Sequence, residues 1–373
     1  MLVQQFVDEG LGNSSYLIVA EESGLAAVVD PQRDVERYLQ AAEGMGVRIV
    51  YTLDTHLHND FVSGAREIAA ATRARIGASA EAELDFEHMA LHDGDFIDLG
   101  ELVIKVVATP GHTPEHISFS ANGAGKPSPE TLFTGGALIT GGAARTDLLG
   151  VENAIPLAHR LYHSIHDKLL AYPDETRLYP THGAGSFCAA PAVSERSSTI
   201  GQERGWNPLV RARDEEEFVT RALSGLPSYP AYFKYLRRIN QHGPALLGGV
   251  PVLKPLSPDE VRRLSAESAV VLDVRRAEAF GAGHVPGSYG IPLETPLITW
   301  AGWVIPFGSA LILIAESAAE RTEAVRQLIR IGYDDLRGYL EGSVPAWEAA
   351  NNPTARVERI STQDLARRRD SGE

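Results

Sequence analysis

The stretch Tyr51–Gly64, YTLDTHLHNDFVSG, sets His56, His58 and Asp60 directly behind an apolar run, Val47–Leu53, that predicts a buried strand. Histidines two residues apart in a loop can turn toward one ion, but tight chelation needs further donors from elsewhere in the chain. The stretch therefore predicts a metal site at the end of a strand.

Two later loops supply such donors in chain order. His112 lies in Thr109–Thr113, TPGHT, and His182 lies in Pro180–Gly183, PTHG. Each is a histidine in a Gly/Pro loop that follows a short apolar segment. A lone pair of histidines would be a weak signal, whereas four histidines in three ordered loops favour a metal centre over isolated buried residues.

This set of loops resembles the metallo-β-lactamase fold, in which an HxHxDH motif, a GHT histidine, an aspartate and a late histidine surround one or two metal ions. The resemblance covers about the first half of the chain and implies an αββα sandwich. Two positions depart from the pattern. Phe61 stands where the family usually has a second histidine, and Gly136 replaces the aspartate of the family's TGD sequence.

The donors that remain predict at most one tightly held divalent ion. His56, His58 and His112 would form a three-imidazole site, whereas the second position keeps only Asp60 and His182. Such a neutral site suits Fe²⁺ for oxygen chemistry or Zn²⁺ as a Lewis acid, and ligand type alone does not choose between them.

Composition restricts the class of protein. The 373 residues favour two domains, and a net charge of −15 from 34 basic and 49 acidic residues argues against nucleic acid as a partner. No apolar run is long enough for a membrane span and no signal sequence is recognisable, so we expect a soluble, cytoplasmic protein without a membrane contact. Cys188 is the single cysteine, which excludes internal disulfides.

The second half of the chain carries a different pattern. Asp273-Val274-Arg275 ends an apolar strand, and Gly283–Ser288 reads GHVPGS. This series resembles the rhodanese domain. A working rhodanese needs a cysteine after its central strand, where backbone amides stabilise a thiolate. Here Ala310–Ile314 is followed by Ala315-Glu316-Ser317, so a carboxylate should occupy the anion site and a structural or docking role is favoured over sulfur transfer.

The expected architecture is α/β throughout, a metallo-β-lactamase αββα sandwich followed by a rhodanese-like α/β domain. The expected divisions are 1–205 for the sandwich, 206–249 for a helical extension and linker, 250–352 for the rhodanese-like domain, and 353–373 for the start of a second, truncated unit. The last rests on the likeness of Ile360–Arg367 to Leu256–Arg263, and a frayed terminal helix is the alternative.

Local patterns predict individual elements as well. The aromatic residues of the extension, Tyr229, Tyr232, Phe233 and Tyr235, favour a helix packed on its domain, with a lid over the metal site as the alternative. Three helices of the first half are predicted at Ser63–Thr72 with Ser63 as N-cap, at Pro156–Leu170 and at Ser194–Arg204.

The order of the two domains resembles the bacterial persulfide dioxygenase–rhodanese fusions. That resemblance implies one Fe²⁺, which adds O2 to the terminal sulfur of a low-molecular-weight thiol persulfide to give sulfite and the thiol. The family's iron ligands would map to His56, His112 and the missing aspartate at Gly136, for which His58 is the nearest replacement in sequence.

Three more residues are candidates for the site. Asp60 would orient an imidazole or a metal-bound water. Cys188, six residues after His182, would accept the sulfane sulfur or form a mixed disulfide if it were a thiolate, although most lone cysteines are buried and inert. Arg145 would hold a substrate carboxylate or form a structural ion pair with Asp147.

Three functions remain open at this point. The first is a persulfide dioxygenase, and the second is a Zn²⁺ thioester hydrolase resembling glyoxalase II. The third is a non-catalytic protein that binds or organises sulfur carriers, favoured by damage to two active sites in one chain. The partner is a small-molecule thiol persulfide or thioester, and a homo-oligomer is left open.

Overall fold

The structure is a computed structural model, and it describes residues 1–123, 130–190, 193–358 and 360–372. The chain folds into two compact units, one of residues 1–249 with 329–332 and one of residues 250–328 with 333–373. Within the described residues, no helix is both long and apolar enough to cross a membrane.

The first unit begins with a six-stranded sheet. Its strands follow one another in space in chain order: β1 (Leu2–Asp8), β2 (Asn13–Ala20), β3 (Leu25–Val29), β4 (Arg48–Leu53), β5 (Arg75–Ser79) and β6 (Met89–Leu91). β1 to β3 pair antiparallel, and β3 to β6 pair parallel. Helices α1 (Glu36–Met45) and α2 (Ala65–Thr72) provide the crossovers from β3 to β4 and from β4 to β5, as parallel pairing requires.

The next eight strands of the unit form a second sheet and a separate strand pair. They are β7 (Phe96–Leu99), β8 (Leu102–Ala108), β9 (Ile117–Gly123), β10 (Thr131–Gly135), β11 (Ala143–Ala144), β12 (Arg177–Pro180), β13 (Ala189–Ala190) and β14 (Ser198–Thr199). Six of them form the sheet in the order β14-β12-β10-β9-β8-β7, while β11 and β13 pair separately. Further helices of the unit are α3 (Val151–His163), α4 (Ile200–Trp206), α5 (Glu215–Leu223) and α6 (Phe233–His242).

Strand β2 shows why the sheets stack as layers. Tyr16 and Ile18 pack into the core between the two sheets, whereas Leu17 and Val19 pack against the helices on the outer face. All are buried because both faces of the strand are covered. The core between the sheets also takes Phe119 and others from the second sheet, and a further apolar cluster places helices on that sheet's outer face. The predicted αββα sandwich is confirmed.

Three predicted helices begin elsewhere than the sequence indicates. α2 starts after Gly64, one residue later than a Ser63 N-cap predicts, although the Ser63 hydroxyl accepts from the Ala65 amide at 3.1 Å while it donates to Asp54. α3 starts at Val151, five residues before the predicted Pro156, so this proline lies inside the helix, where it removes one intrahelical hydrogen bond. α4 starts only at Ile200, after a capping box formed by Thr199 and Gln202.

Helix α6 packs on the loops that follow β4 and β8. The two terminal nitrogens of the Arg237 guanidinium each donate to the Glu115 carboxylate at 2.9 Å, and the same carboxylate accepts from the Leu57 backbone amide. The aromatic extension therefore contains a packed helix. These buried bonds favour packing over the alternative of a lid.

The second unit is a parallel sheet in the order β15-β19-β18-β16-β17. Its strands are β15 (Pro255–Leu256), β16 (Val270–Asp273), β17 (Tyr289–Gly290), β18 (Leu311–Ile314) and β19 (Leu336–Leu340). Its helices are α7 (Pro258–Ala266), α8 (Ala277–Ala282), α9 (Leu297–Val304), α10 (Ala318–Arg330), α11 (Ser343–Ala349) and α12 (Thr362–Ser371). Strand β18 is buried along its whole length, as expected for the centre of a parallel sheet.

The ion pair between Glu115 and Arg237 gives the first testable prediction. Arg237→Met leaves a buried carboxylate without its cation, which typically costs about 3–5 kcal/mol. Hydrogen exchange of the α6 backbone amides should therefore accelerate strongly, whereas Lys234→Met, an exposed cation on the same helix, should leave it unchanged. Equal exchange in the two variants would contradict a stabilising role for the pair.

The same pair should be sensitive to acid. Burial alone would raise the pKa of Glu115, but the bonds and charge of Arg237 hold it below its usual value of 4.5. Its contribution is thus complete above about pH 4.5 and declines as the pH falls toward the lower folded-state pKa. Glu115→Gln should abolish this part of the acid-induced loss of protection in α6, measured by hydrogen exchange.

Candidate metal centre

The predicted metal loops meet at one edge of the sandwich. His56 and His58 follow β4, His112 follows β8, and His182 follows β12. All four side chains are buried, with exposed fractions of 4% or less. Within the described residues, His56, His112 and His182 each offer a ligand atom within 4.8 Å of the others.

Two of these imidazoles have a fixed tautomer. The Thr55 hydroxyl donates its proton to Asp30, so it must accept the 2.8 Å bond from His56 Nδ1–H. His112 Nδ1 lies 2.6 Å from the Arg145 carbonyl oxygen, which can only accept. In both rings the Nε2 lone pair is therefore left bare.

The third imidazole is held by an amide. Asn13 Nδ2 donates to Asp60 Oδ2 at 2.7 Å, which turns Asn13 Oδ1 toward His182 Nδ1 at 3.1 Å. His182 thus donates from Nδ1 and also presents a bare Nε2. Asp60 acts through Asn13 on an imidazole, the role that its position in the sequence suggests.

The bare nitrogens face each other. His56 Nε2 and His182 Nε2 are 3.3 Å apart. Burial, followed by the neighbouring imidazoles, lowers the pKa of His56 well below its usual value, and burial lowers the pKa of His112 and His182 to about 3. At neutral pH, a shared proton is therefore a poor bridge between His56 Nε2 and His182 Nε2. Three converging neutral nitrogens with their outer N–H groups anchored fit one divalent transition-metal ion.

His58 is placed differently from the sequence expectation. Its Nε2 lies 3.2 Å from Asp30 Oδ1, and its buried Nδ1 has no hydrogen-bond partner among the described residues. Burial would lower the pKa of His58, but the negative charges of Asp30, Asp54 and Asp60 raise this pKa overall. His58 forms a second close group with Asp60 and His182. The third place beside His56 and His112 is thus taken by His182.

Asp30 is a functional residue that no motif in the sequence indicated. It is fully buried directly after β3 and accepts bonds from the Thr55 amide, from the Thr55 and Thr181 hydroxyls, and from His58. Its φ of +50° is uncommon for a residue with a side chain, and such backbone strain clusters at functional sites. An acid directly after the apolar run Ala26–Val29 is the signal that could have found it.

The second metal position lacks two of the family's donors, and packing fills the places where they would stand. Phe61 is fully buried and stacks on His58, with ring centroids 4.0 Å apart. At Gly136, a Cβ would lie 2.4 Å from His112 Cδ2. The Gly136 amide donates to His116 Nε2 at 3.0 Å, and His116 is the second residue that the motif did not reveal. The His112 ring and the Ala144 side chain therefore leave no room for the family's aspartate.

The two remaining candidates are both buried. Cys188 has no exposed surface, and burial followed by the Asp60 charge raises its pKa well above the usual value. The inert alternative is therefore favoured over a thiolate. Arg145 makes two bonds to Asp147, at 2.6 and 2.7 Å, and a third to the Pro227 carbonyl. These bonds favour the structural ion pair, which holds the carbonyl bound to His112.

Asn240 on α6 clamps the first metal loop. Its Nδ2 donates to the carbonyls of His58 and Phe61 at 2.8 and 2.9 Å, and its Oδ1 accepts from the Ser63 amide at 2.9 Å. All of these partners lie in the loop after β4. The extension thus fixes the backbone that carries two of the histidines.

The rhodanese-like loop is filled by its own chain. After β18, the Glu320 carboxylate accepts from the amides of Glu316 and Ser317 at 2.7 and 3.3 Å, and the Ser317 hydroxyl accepts from the Glu320 amide. The sequence indicated the Glu316 carboxylate for this anion site, whereas the carboxylate that accepts from the loop amides is that of Glu320. The domain also contains no cysteine.

Comparison with known proteins gives the family. Residues 8–182 match the metallo-beta-lactamase superfamily, and residues 257–350 match the rhodanese-like domain. A crystal structure of a metallo-beta-lactamase from Staphylococcus aureus subsp. aureus COL has a TM-score of 0.81 and 31% identity, covering 91% of this chain and 98% of that one.

Two curated relatives resemble the first unit. The human protein named persulfide dioxygenase ETHE1, mitochondrial, is 30% identical over 58% of this chain and 78% of its own length. A hydroxyacylglutathione hydrolase from Polaromonas sp. is 33% identical over 58% of this chain and 83% of its own length. The chain belongs to the metallo-β-lactamase superfamily and carries a rhodanese-like domain after it.

The ligand set can be tested by single substitutions. His182→Ala should weaken Zn²⁺ or Fe²⁺ binding by more than about 100-fold, because it removes one of three converging nitrogens. His58→Gln, which keeps a donor for Asp30, should cost no more than the roughly 10–100-fold typical of a lost outer partner. Calorimetric metal titration compares them, and an equal or larger loss in His58→Gln would contradict this assignment.

Gly136→Asp gives a second test of the site. The family pattern alone would predict that the added carboxylate strengthens metal binding. Since its Cβ would collide with the His112 ring, we expect weaker binding instead, with a similar loss in Gly136→Ala. A gain in iron affinity for the aspartate variant alone, measured by the same titration, would overturn the steric argument.

Proposed function

We propose that the protein is a persulfide dioxygenase that uses one Fe²⁺ held by His56, His112 and His182. The observation that carries this proposal is the single set of three neutral, Nδ1-anchored imidazoles, with the second metal position blocked at Phe61 and Gly136. The order of the two domains and the similarity to a named persulfide dioxygenase support it.

The reaction balances with dioxygen and water as co-substrates. A persulfide RSSH reacts with O2 and H2O to give RSH, hydrogen sulfite and a proton. The terminal sulfur loses four electrons and O2 gains them. Bound iron supplies the one-electron chemistry that lets triplet O2 react with a closed-shell sulfur compound.

The protein side chains orient the three imidazoles and exclude bulk water from the site. The three imidazoles bring no negative charge, so they would leave the full charge of a divalent ion in place, which favours an anionic persulfide as substrate. Asp60 holds His182 through Asn13, and the Arg145 carbonyl holds His112, which keeps each lone pair aimed at one point. The burial of these groups excludes bulk water.

A zinc-dependent thioester hydrolase is the second candidate. It is favoured by the all-imidazole donor set, which is a common catalytic zinc site, and by the similarity to a named hydroxyacylglutathione hydrolase. Against it stands Gly136, which replaces the carboxylate that bridges two metal ions in hydrolytic members of the family.

The rhodanese-like domain has a structural or docking role in this proposal. Glu320 fills its anion loop, and no thiol is present to carry sulfur. A cytoplasmic location stays a prediction from the sequence, and the oligomeric state stays open.

Metal content and oxygen uptake together test the proposal. Protein expressed in iron-supplemented medium should contain about one iron per chain by elemental analysis. With glutathione persulfide or coenzyme A persulfide it should consume O2 and release sulfite in equal amounts. His112→Ala should lose both properties because it lacks one of the three donor nitrogens.

Other results would replace the proposal. Zinc content with cleavage of a glutathione thioester, and no oxygen uptake, would support the hydrolase. Absence of a transition metal and of both activities would leave a protein that binds or organises sulfur carriers.

A further inference from the structure

Residues 329–332 belong to the first unit, although they lie at the end of α10 and directly after it, within the stretch that matches the rhodanese-like domain. Arg330 is the charged residue of this segment, and only 8% of it is exposed. An arginine is rarely so buried unless its charge is paired. Its partners should therefore show what the segment does in the first unit.

Arg330 is paired with two buried carboxylates. Its Nε and one terminal nitrogen donate to the two oxygens of Asp34 at 2.7 and 2.6 Å, and its other terminal nitrogen donates to Asp8 Oδ2 at 2.8 Å. Burial would lower the pKa of Arg330, but the bonds and charges of Asp34 and Asp8 raise it overall. The planar guanidinium thus grips one carboxylate with two parallel bonds and still reaches a second.

Asp8 fixes the turn between β1 and β2. Its other oxygen, Oδ1, accepts from the amides of Gly10 and Leu11 at 2.9 and 3.1 Å. This turn leads directly to Asn13, whose Oδ1 accepts from His182 Nδ1. The bond from Arg330 to Asp8 therefore acts on the segment that anchors one of the three imidazoles.

The other contacts of Arg330 reach two more segments of the site. Asp34 lies in the loop between β3 and α1, four residues after Asp30. The carbonyl oxygen of Arg330 accepts from the Val62 amide at 2.7 Å. Val62 lies in the loop after β4, which carries the first two histidines of the centre. One residue thus bonds to three segments that converge on the metal site.

We propose that Arg330 is a positioning residue for the metal centre. It joins the β1–β2 turn, the β3–α1 loop and the loop after β4, and these segments contain Asn13, Asp30 and His56 respectively. The proposal rests on the three-imidazole centre put forward above, but not on the reaction performed there. It also gives the rhodanese-like stretch, which has no cysteine, a structural role as the source of this arginine.

Hydrogen exchange of Arg330→Met tests the effect on the loops without any metal. The variant removes the cation bonded to Asp8 and Asp34, and loss of one partner from a buried ion pair is strongly destabilising. Exchange should accelerate at least about tenfold at the amides nearest to the lost bonds. These are the amides of Gly10, Leu11 and Val62.

Arg275→Met is the matched control. Arg275 is also buried, also binds a carboxylate through Nε and a terminal nitrogen, that of Asp273, and also donates to a backbone carbonyl, that of Gly283. All three residues belong to the second unit. This variant should leave the three amides and metal binding unchanged.

Metal titration and a spectrum then test the effect on the site. In Arg330→Met, calorimetry should show Zn²⁺ binding weakened roughly 10–100-fold, the loss typical of an outer partner. The d–d absorption bands of bound Co²⁺, which report ligand geometry, should shift as well. Arg330→Lys keeps the charge but not the planar fork, so it should recover part of the affinity. It also serves as the test variant if Arg330→Met does not fold.

The outcomes separate the positioning role from the metal centre itself. Unchanged Zn²⁺ affinity and an unchanged Co²⁺ spectrum in Arg330→Met, despite faster exchange, would overturn the positioning role and leave a structural ion pair. Equal losses in Arg275→Met would overturn it as well, because they would show general destabilisation. Faster exchange at the three amides, in a protein whose wild type binds no metal, would refute the proposed centre and leave the link between the loops standing.

Discussion

The site depends on one constraint, the anchoring of each imidazole by its outer nitrogen. His56, His112 and His182 each donate Nδ1–H to an oxygen that can only accept, or whose own proton is already committed. Their Nε2 lone pairs have no alternative but to converge. Buried lone pairs at a separation of 3.3 Å are unfavourable unless a cation joins them, so this arrangement suits one metal ion.

The anchors tie the ligand geometry to distant parts of the unit. Asp30, directly after β3, binds Thr55 and Thr181, the residues before His56 and His182, and it also takes the side chain of His58. Helix α6 adds Asn240 to the same loop. The metal site is thus held by hydrogen bonds from several elements, which makes it rigid without a bridging carboxylate.

Much of the fold could be predicted from the sequence, and the reasons are local. The apolar run Val47–Leu53, the apolar segments before the other histidine loops, and the rhodanese-like series at Asp273–Arg275 all depend on short-range pattern. The choice of His182 over His58 could not be predicted in this way. It depends on Asp30, which lies 28 residues before His58 and captures its Nε2.

The exact start of α2 and the closure of the space at Gly136 could not be predicted from the sequence either, because both depend on the packing of the folded chain. Ser63 has the pattern of a helix cap, and its hydroxyl does accept from the Ala65 amide, but the helix itself begins only after Gly64. The loss of the aspartate at Gly136 is visible in the sequence, but the closure of its space by His112 is a property of packing. Likewise, Cys188 and Arg145 carry reactive groups whose burial and partners only the fold reveals.

The most direct test of this account is an anomalous-diffraction structure of the metal-loaded protein. We predict a single ion bound to Nε2 of His56, His112 and His182, at about 2.0–2.1 Å if the ion is zinc. Two ions, or one ion bound by His58 with His182 turned away, would contradict the central claim.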